Sequence, residues 1–404
     1  MLSKKQQDKR QILKCGIKMG RKLLEYGSFK TCVGFLSGNN KYAWRAYKER
    51  ADVARKRNVG LVQIVPQKDL DLRIANGDRA HLRYWDGKSM HELSEEIPQV
   101  IYDRLNISDK RRSKIVDAMS KTGISFINPP EFRGVCADKV KAYSVFIDGG
   151  IATPETHVFS AECLEDILEK KGFAFVKKRV SSQGKNQVVI RELGKQDYLI
   201  IPSSNNQLQR VNGFNSVLQY LSQSDIGEDY LVQEGIYVDR LDGRAYDFRA
   251  LFQRGSQGHL GMTCFYVRVG APSSEQANIG KKGHPQDPYV VFEDYEKIKR
   301  DINKLGRKVV NAFSKDYSVG EIGIDFVLSE DGNLVVIEAN SKPGSKGIRT
   351  LREWNPLDEQ YHNRGVIPYE YNNQIRGKWG KSLDLFLSRP ILYAKHLCNG
   401  EKNE

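Results

Sequence analysis

Apolar and polar positions along the chain alternate between short apolar runs and helical stretches. Thr31-Cys-Val-Gly-Phe-Leu36, Gly60-Leu-Val-Gln-Ile-Val65 and Gln99-Val-Ile-Tyr102 have strand length, and a helix is expected near Ala43 to Arg57. That alternation predicts a small parallel α/β unit, ending at Asn128-Pro129-Pro130, where two prolines break regular structure. Beyond it the pattern predicts a helix over Ala161 to Lys171 and strands over Phe173 to Val176 and Gln187 to Ile190, joined by a polar turn that makes a hairpin lid. From about Gln233 to Asn340 strands dominate, interrupted by a helix from Tyr295 to Phe313. Residues 3 to 26 read as a basic amphipathic helix. Ser382 to Leu387 and Ile391 to Tyr393, either side of Pro390, read as helix pieces packing on the N-terminal domain.

The most informative stretch is Gly320-Glu-Ile-Gly-Ile-Asp-Phe-Val-Leu328, then Ser329 to Asn333, then Leu334-Val-Val-Ile-Glu-Ala-Asn340. Asp331-Gly332 between two apolar strands predicts a two-residue hairpin turn. Glu330 then faces Asn333, and the pairing runs outward until Asp325 lies opposite Glu338, with Cβ atoms roughly 5 Å apart. Asn340 shares that face, while Phe326, Leu328, Val335 and Ile337 are expected on the buried one. Two facing carboxylates repel unless a cation lies between them. The oxygen-only set Asp325, Glu338 and Asn340 suits Mg²⁺, with Mn²⁺ as a substitute and substrate phosphates completing the shell.

Metal-bridged phosphates also need fixed positive charge and backbone donors. Val176-Lys177-Lys178 followed by Ser181-Ser182-Gln183-Gly184-Lys185 offers a strand-end lysine and a small-residue loop that folds over phosphates. Asp247-Phe-Arg249 and Arg268 add guanidinium groups on alternating strand positions. In isolation Asp247 and Arg249 read as an ordinary surface ion pair.

Composition adds a sign and a size. At 404 residues the chain makes two or three compact units. Lys+Arg 64 against Asp+Glu 50 leaves a net charge of +14, which favours anionic partners without choosing among nucleotides, acidic peptides, anionic polymers and nucleic acid. Six scattered cysteines form no metal or disulfide framework, and no segment has the apolar length of a signal peptide or membrane span. A soluble cytoplasmic protein is expected, with peripheral membrane contact by the basic helix disfavoured.

Several motifs, in this order and spacing, resemble the ATP-grasp superfamily and within it the YheC/YheD family. They are Asn128-Pro-Pro130, Lys139, Pro154-Glu-Thr156, Val176-Lys177, Gln183-Gly-Lys185, Val232-Gln-Glu-Gly-Ile236, Asp247-Phe-Arg249, Tyr266-Val-Arg268, Asn278-Ile-Gly280, Gly320 to Asp325 and Ile337 to Gly344. The resemblance implies an ATP-grasp fold, two α+β lobes clasping ATP, preceded by a small parallel α/β domain. It divides the chain into a basic helix (1–27), the α/β domain (28–130), a smaller lobe with the lid (131–235), a larger lobe with the metal site (236–350) and a helical tail (351–404). It further implies that Lys139 and Lys177 contact phosphate and adenine, that Gln233, Glu234, Gly235 and Ile236 form the adenine hinge, and that Ser182, Gln183, Gly184 and Lys185 belong to the lid. Arg249 and Arg268 would steady the transferred phosphoryl group, with Asp325, Glu338 and Asn340 as metal ligands. Asn278 and Gly280 would lie on the acceptor side, and Asp239 or Asp242 would touch ribose. Lys141 competes with Lys139 for its role. Lys178 stands where many relatives have proline, and Gly323 stands where D-alanine ligases carry arginine, which argues against that activity.

The implied function is an ATP- and Mg²⁺-dependent carboxylate–amine ligase working through an acyl phosphate, with an acidic peptide or cell-envelope polymer suiting the positive charge. Two rivals remain: a coat or scaffold protein that binds nucleotide without turnover, and a polyanion or nucleic-acid binder suggested by the charge and by Leu82-Arg-Tyr-Trp85.

Overall fold

A computed structural model of the chain describes residues 29, 31–105, 109–181, 187–203, 207–238, 240–241, 243–270, 283–353 and 369–399. The N-terminal helix expected over residues 3 to 26 lies outside these.

The first sheet contains β1 (Cys32–Leu36), β2 (Gly60–Ile64), β3 (Ala80–Trp85), β4 (Met90–Glu95), β5 (Val100–Asp103) and β6 (Ser125–Ile127), in the order β4-β3-β2-β1-β5-β6. Helices α1 (Lys41–Lys56), α2 (Leu70–Ala75) and α3 (Asp109–Lys121) cover it. Asn40 starts α1 by accepting from the amides of Tyr42 at 3.1 Å and Ala43 at 2.9 Å. The strands β2, β1, β5 and β6 are parallel, and β1 is buried on both faces, between separate apolar clusters, which is why it reads as a continuous apolar run. The sheet is not wholly parallel, however: β3 and β4 form an antiparallel hairpin at one edge. Leu82 and Tyr84 point into the core while Arg83 bonds Glu92 at 3.0 Å, so Leu82 to Trp85 is an amphipathic strand.

The second sheet is antiparallel throughout. It contains β7 (Thr156–Val158), β8 (Phe173–Lys178), β9 (Gln187–Gly194), β10 (Asp197–Pro202), β11 (Gln209–Asn212) and β12 (Tyr230–Glu234), in the order β11-β10-β9-β8-β12-β7. Before it come α4 (Pro130–Ala137) and α5 (Lys139–Asp148); α6 (Ala161–Lys171) and α7 (Phe214–Gln223) pack on one face. Ser160 caps α6 at the Cys163 amide, 3.1 Å, and Gly172 closes it in the left-handed conformation, φ 65°.

The third sheet runs β16 (His284–Gln286), β15 (Leu260–Val269), β14 (Arg244–Arg254), β17 (Glu321–Leu328), β18 (Leu334–Asn340), with the short β13 (Arg240–Leu241) on β14. After α8 (Pro288–Val291), the long α9 (Tyr295–Ser314) lays Ile302, Val309 and Phe313 against the apolar face of this sheet. Last come α10 (Lys346–Glu353) and α11 (Tyr369–Cys398). The two expected tail pieces are one helix, α11, with Pro390 inside it. Trp379, Leu383 and Phe386 pack with Leu251 and Tyr266 of the third sheet, while Ile391 and Ala394 join the core of the first. No described helix is long and apolar enough to cross a membrane.

The hairpin of β17 and β18 departs from expectation in an instructive way. Its loop has three residues, Glu330 to Gly332, closed by Ser329 N–H donating to the Asn333 carbonyl at 2.9 Å and by Gly332 at φ 74°. The inner ladder therefore pairs Leu328 with Leu334 and Phe326 with Val336, one residue off the expected register. A bulge between Asp325 and Phe326, with Ile337 as the extra residue on β18, restores the offset, so Asp325 does pair with Glu338. Val336, not Val335 or Ile337, shares the core with Phe326, and the bulge turns Ile337 and Glu338 both toward the cavity described next.

Candidate active site

Between the second and third sheets lies a cavity of about 650 Å³. Its third-sheet wall carries a row across four strands, in which Tyr266 of β15 pairs with Arg249 of β14, Arg249 with Asp325 of β17, and Asp325 with Glu338 of β18. Strand alternation makes this row possible, since Ile324 and Phe326 beside Asp325 are fully buried on the opposite face against α9. Asn340, two residues past Glu338, lines the same cavity.

The expected Asp247–Arg249 pair does not form. Arg249 instead grips Asp325 through Nε and, at 2.7 Å, Nη2; Arg268 chelates Asp247 and reaches Asp325 at 2.9 Å. Two guanidiniums therefore answer the charge of Asp325, and facing carboxylates do not of themselves demand a metal. Burial alone would raise Asp325, but Arg249 and Arg268 hold it below the usual carboxylate range. Asp247 is pushed up to about 6, by burial first and by the Asp325 charge, against the pull of Arg268.

The opposite wall supplies amines. Lys177, next to last on β8, has its Nζ 2.6 Å from Gln233 Oε1, and Gln233 in turn donates to Thr156 Oγ1 at 3.0 Å. Burial pushes Lys177 down to about 8; Glu338 opposes that shift and Lys139 adds to it. Lys139 opens α5 and donates to the Ser181 carbonyl at 2.9 Å; burial lowers it too, against Glu338. Asp138 sets this geometry by capping α5 at the Val140 amide and by holding Arg179 with two bonds of 2.8 Å, which ties the helix start to the end of β8. Nothing in the sequence marked that clamp. Lys141 is exposed and faces away from the cavity, so of the two lysines Lys139 is the one that reaches it. Lys178 points outward to Asp229 at 2.8 Å.

In the segment expected to form the adenine hinge, the Glu234 amide donates to the Glu155 carbonyl and the Gly235 amide to the Phe173 carbonyl, both at 2.8 Å. The Glu234 side chain pairs with Lys171 at 2.9 Å, and Gln233, Glu234 and Ile236 all line the cavity. A Cβ on Gly235 would sit 2.2 Å from the Phe173 ring. Ser182, Gln183, Gly184, Lys185, Asp239, Asp242, Asn278 and Gly280 lie outside the described residues. Lys342 also lines the cavity, a position that its place in the stretch Ile337 to Gly344 signals. Burial and the surrounding arginines push it down to about 6.

Asp325, Glu338 and Asn340 offer oxygen donors on one face, and the buried Asn340 side-chain nitrogen has no partner among the described residues. Because the two ends of a carboxamide interchange by a flip, this set fits a hard divalent cation.

A nucleotide-sized cavity between two sheet lobes, with amines on one wall and a carboxylate–guanidinium row on the other, is the arrangement of an ATP-grasp protein. Residues 124–366, more than half of the chain, match the model of the YheC/D like ATP-grasp family, and the chain belongs to that family. It is 26% identical over 121 residues to the endospore coat-associated protein YheD of Bacillus subtilis (strain 168), covering 29% of this chain and 27% of that protein. Thus the match spans little more than a quarter of YheD. A second relative, the coenzyme gamma-F420-2:alpha-L-glutamate ligase of Methanococcus maripaludis, is 26% identical over 239 residues, 59% of this chain and 70% of the enzyme. The D-alanine–D-alanine ligase of Bacillus anthracis superposes with a TM-score of 0.49 at 13% identity, over 90% of this chain and 99% of that one.

Proposed function

We propose that the protein is an ATP-dependent carboxylate–amine ligase that acts with Mg²⁺ through an acyl phosphate, its nucleotide lying between the lobes 131–235 and 236–350. The observation that carries this reading is the row Arg249, Asp325 and Glu338 sharing one cavity with Lys139 and Lys177. Lys139 and Lys177 hold the phosphates, Gln233 and the backbone around Ile236 receive the adenine, and Arg249 and Arg268 neutralise charge on the transferred phosphoryl group. Since the Glu234 and Gly235 amides are already engaged, adenine is read by their neighbours. Asp325, Glu338 and Asn340 would hold Mg²⁺, which supplies electrostatic neutralisation of the β- and γ-phosphate oxygens when bound.

In the first step a carboxylate oxygen attacks the γ-phosphorus, the bond to the β-phosphate oxygen breaks, and ADP leaves. The amine then attacks the acyl carbon; the C–N bond forms, inorganic phosphate departs, and the amine proton passes to solvent. Positioning and electrostatics suffice, with no protein nucleophile. The test is ADP release from Mg–ATP across a panel of amino acids and acidic peptides, comparing wild type with Glu338→Gln. Substrate-dependent release that the variant loses supports the ligase. Nucleotide binding with no release on any mixture overturns it in favour of a nucleotide-binding coat protein.

A further inference from the structure

Where the first sheet meets the third, the protein buries more positive charge than its own carboxylates answer. Asp103, at the carboxyl end of β5, is fully buried and takes Arg112 at 2.7 Å and Arg133 on the same oxygen. Arg104, its neighbour, donates to Glu321 at 3.0 Å and to the Pro343 carbonyl at 2.9 Å. Lys342 lies in the field of all three arginines and donates to the Leu105 carbonyl. The three guanidiniums are only 14% to 16% exposed. Three fixed cations and an amine thus crowd round two carboxylates, an imbalance that costs folding free energy unless an anion completes it.

The place of this cluster matters as much as its charge. Strand order departs in both directions from β1, to β2 on one side and β5 on the other, and ligands of open α/β sheets bind outside the carboxyl ends of the strands at such a point. Asp103 and Arg104 stand there. Lys342, two residues beyond Asn340, is the member of the cluster that lines the cavity. Arg112 and Arg133 meeting on one oxygen of Asp103 shows that carboxylate is the anion this cluster already accommodates.

We infer that Lys342, backed by the positive charge of Arg104, Arg112 and Arg133, offers a carboxylate subsite at the cavity wall, which receives an acidic group of the substrate other than the reacting one, so that the enzyme acts on an acidic amino acid or the acidic residue of a peptide. This rests on the ligase reading above for its place in a reaction, but not for the binding itself. Lys342 needs only to donate a hydrogen bond at the cavity wall.

Binding to the full chain is measured by calorimetry with glutarate, with glutaramide, in which both carboxylates become neutral amides, and with inorganic phosphate. Glutarate is expected to bind at least about tenfold more tightly than glutaramide, and Lys342→Met is expected to remove most of that difference, as loss of a charge-assisted bond does. Equal binding of glutarate and glutaramide by wild type overturns the subsite without any variant, and phosphate binding that is tighter than glutarate binding and is lost in Lys342→Met overturns its assignment to carboxylate. Should Lys342→Met fold poorly, as circular dichroism would show, the wild-type comparison still decides. Failure of the ligase reading looks different: glutarate is preferred, yet ADP is released from no mixture.

Discussion

Asn128 holds Glu321 by both of its backbone groups. The Asn128 Nδ2 donates to the Glu321 carbonyl at 2.7 Å, and Oδ1 accepts from the Glu321 amide at 3.0 Å. The same side chain also receives the Gly320 amide at 2.8 Å and donates to the Ser341 carbonyl at 2.5 Å. One buried carboxamide at the end of β6 therefore fixes the first residue of β17 and the residue after β18, the two strands that carry Asp325, Glu338 and Asn340.

Replacing it with alanine leaves buried backbone groups of β17 and Ser341 without partners. Asn128→Ala should lower stability by about 2 to 4 kcal/mol, the cost of several orphaned buried groups. Urea unfolding monitored by fluorescence checks this; a loss under about 0.5 kcal/mol would mean water or a shift of the strand replaces the amide.

Arg249 and the proposed metal answer the same charge, and a variant can separate them. Arg249→Met removes the bidentate partner of the buried Asp325, leaving only Arg268 to answer its charge beside a facing Glu338. Without divalent cation the variant should lose about 3 kcal/mol, as when one partner of a buried pair is deleted. Mg²⁺ or Mn²⁺ should then raise its melting temperature by more than that of wild type, because a cation bound to the native state offsets the repulsion. A metal-dependent shift no larger than in wild type would place the cation elsewhere.

How much of this was legible depended on range. Periodicity found α6 at Ala161–Lys171 and the start of α9 at Tyr295, because those patterns are local. It found Asp325 opposite Glu338 too, though through two errors that cancelled: a three-residue loop shifted the register and a bulge restored it, so only the core side chains Val335 and Ile337 were misplaced. The partners of Arg249 and Arg268 were not readable, since they depend on how β14 pairs with β15 and β17, strands separated in the chain by loops and α9. The Asp103 cluster was hidden for the same reason, because it is assembled from β5, α3, α4 and the chain after β18.

Glycine at the hinge is held by contact rather than by backbone conformation. Gly235 needs no left-handed φ, yet an added Cβ would meet the Phe173 ring at 2.2 to 2.6 Å while the amide is bonded to the Phe173 carbonyl. Gly235→Ala should therefore displace the ring, which packs at a tilt against Phe175 and Tyr237 beside the cavity, at about 1 to 3 kcal/mol in stability. Nucleotide affinity should fall roughly tenfold or more if the hinge receives adenine, as titration with an ATP analogue would measure. Unchanged affinity would move the adenine away from Gly235.

The depressed Lys177 gives the site a pH signature of definite sign. Its ammonium falls from an ordinary 10.5 to about 8 in the folded protein, so between these values the unfolded chain binds more protons, and stability rises with pH across that window. Phosphate binding acts in the other direction. An anion beside Nζ favours the charged form, so nucleotide binding should take up protons near pH 8, and affinity should fall as pH rises through that value, at most tenfold per unit. Calorimetry in two buffers of different ionisation enthalpy reads the uptake directly. Lys177→Met should bind ATP more weakly and lose the uptake together, while Lys139, lowered by burial but still held by the Ser181 carbonyl, keeps one amine at the cavity. Proton uptake that survives in Lys177→Met would assign the titration to Lys139, and uptake absent from wild type would mean that Lys177 does not meet phosphate.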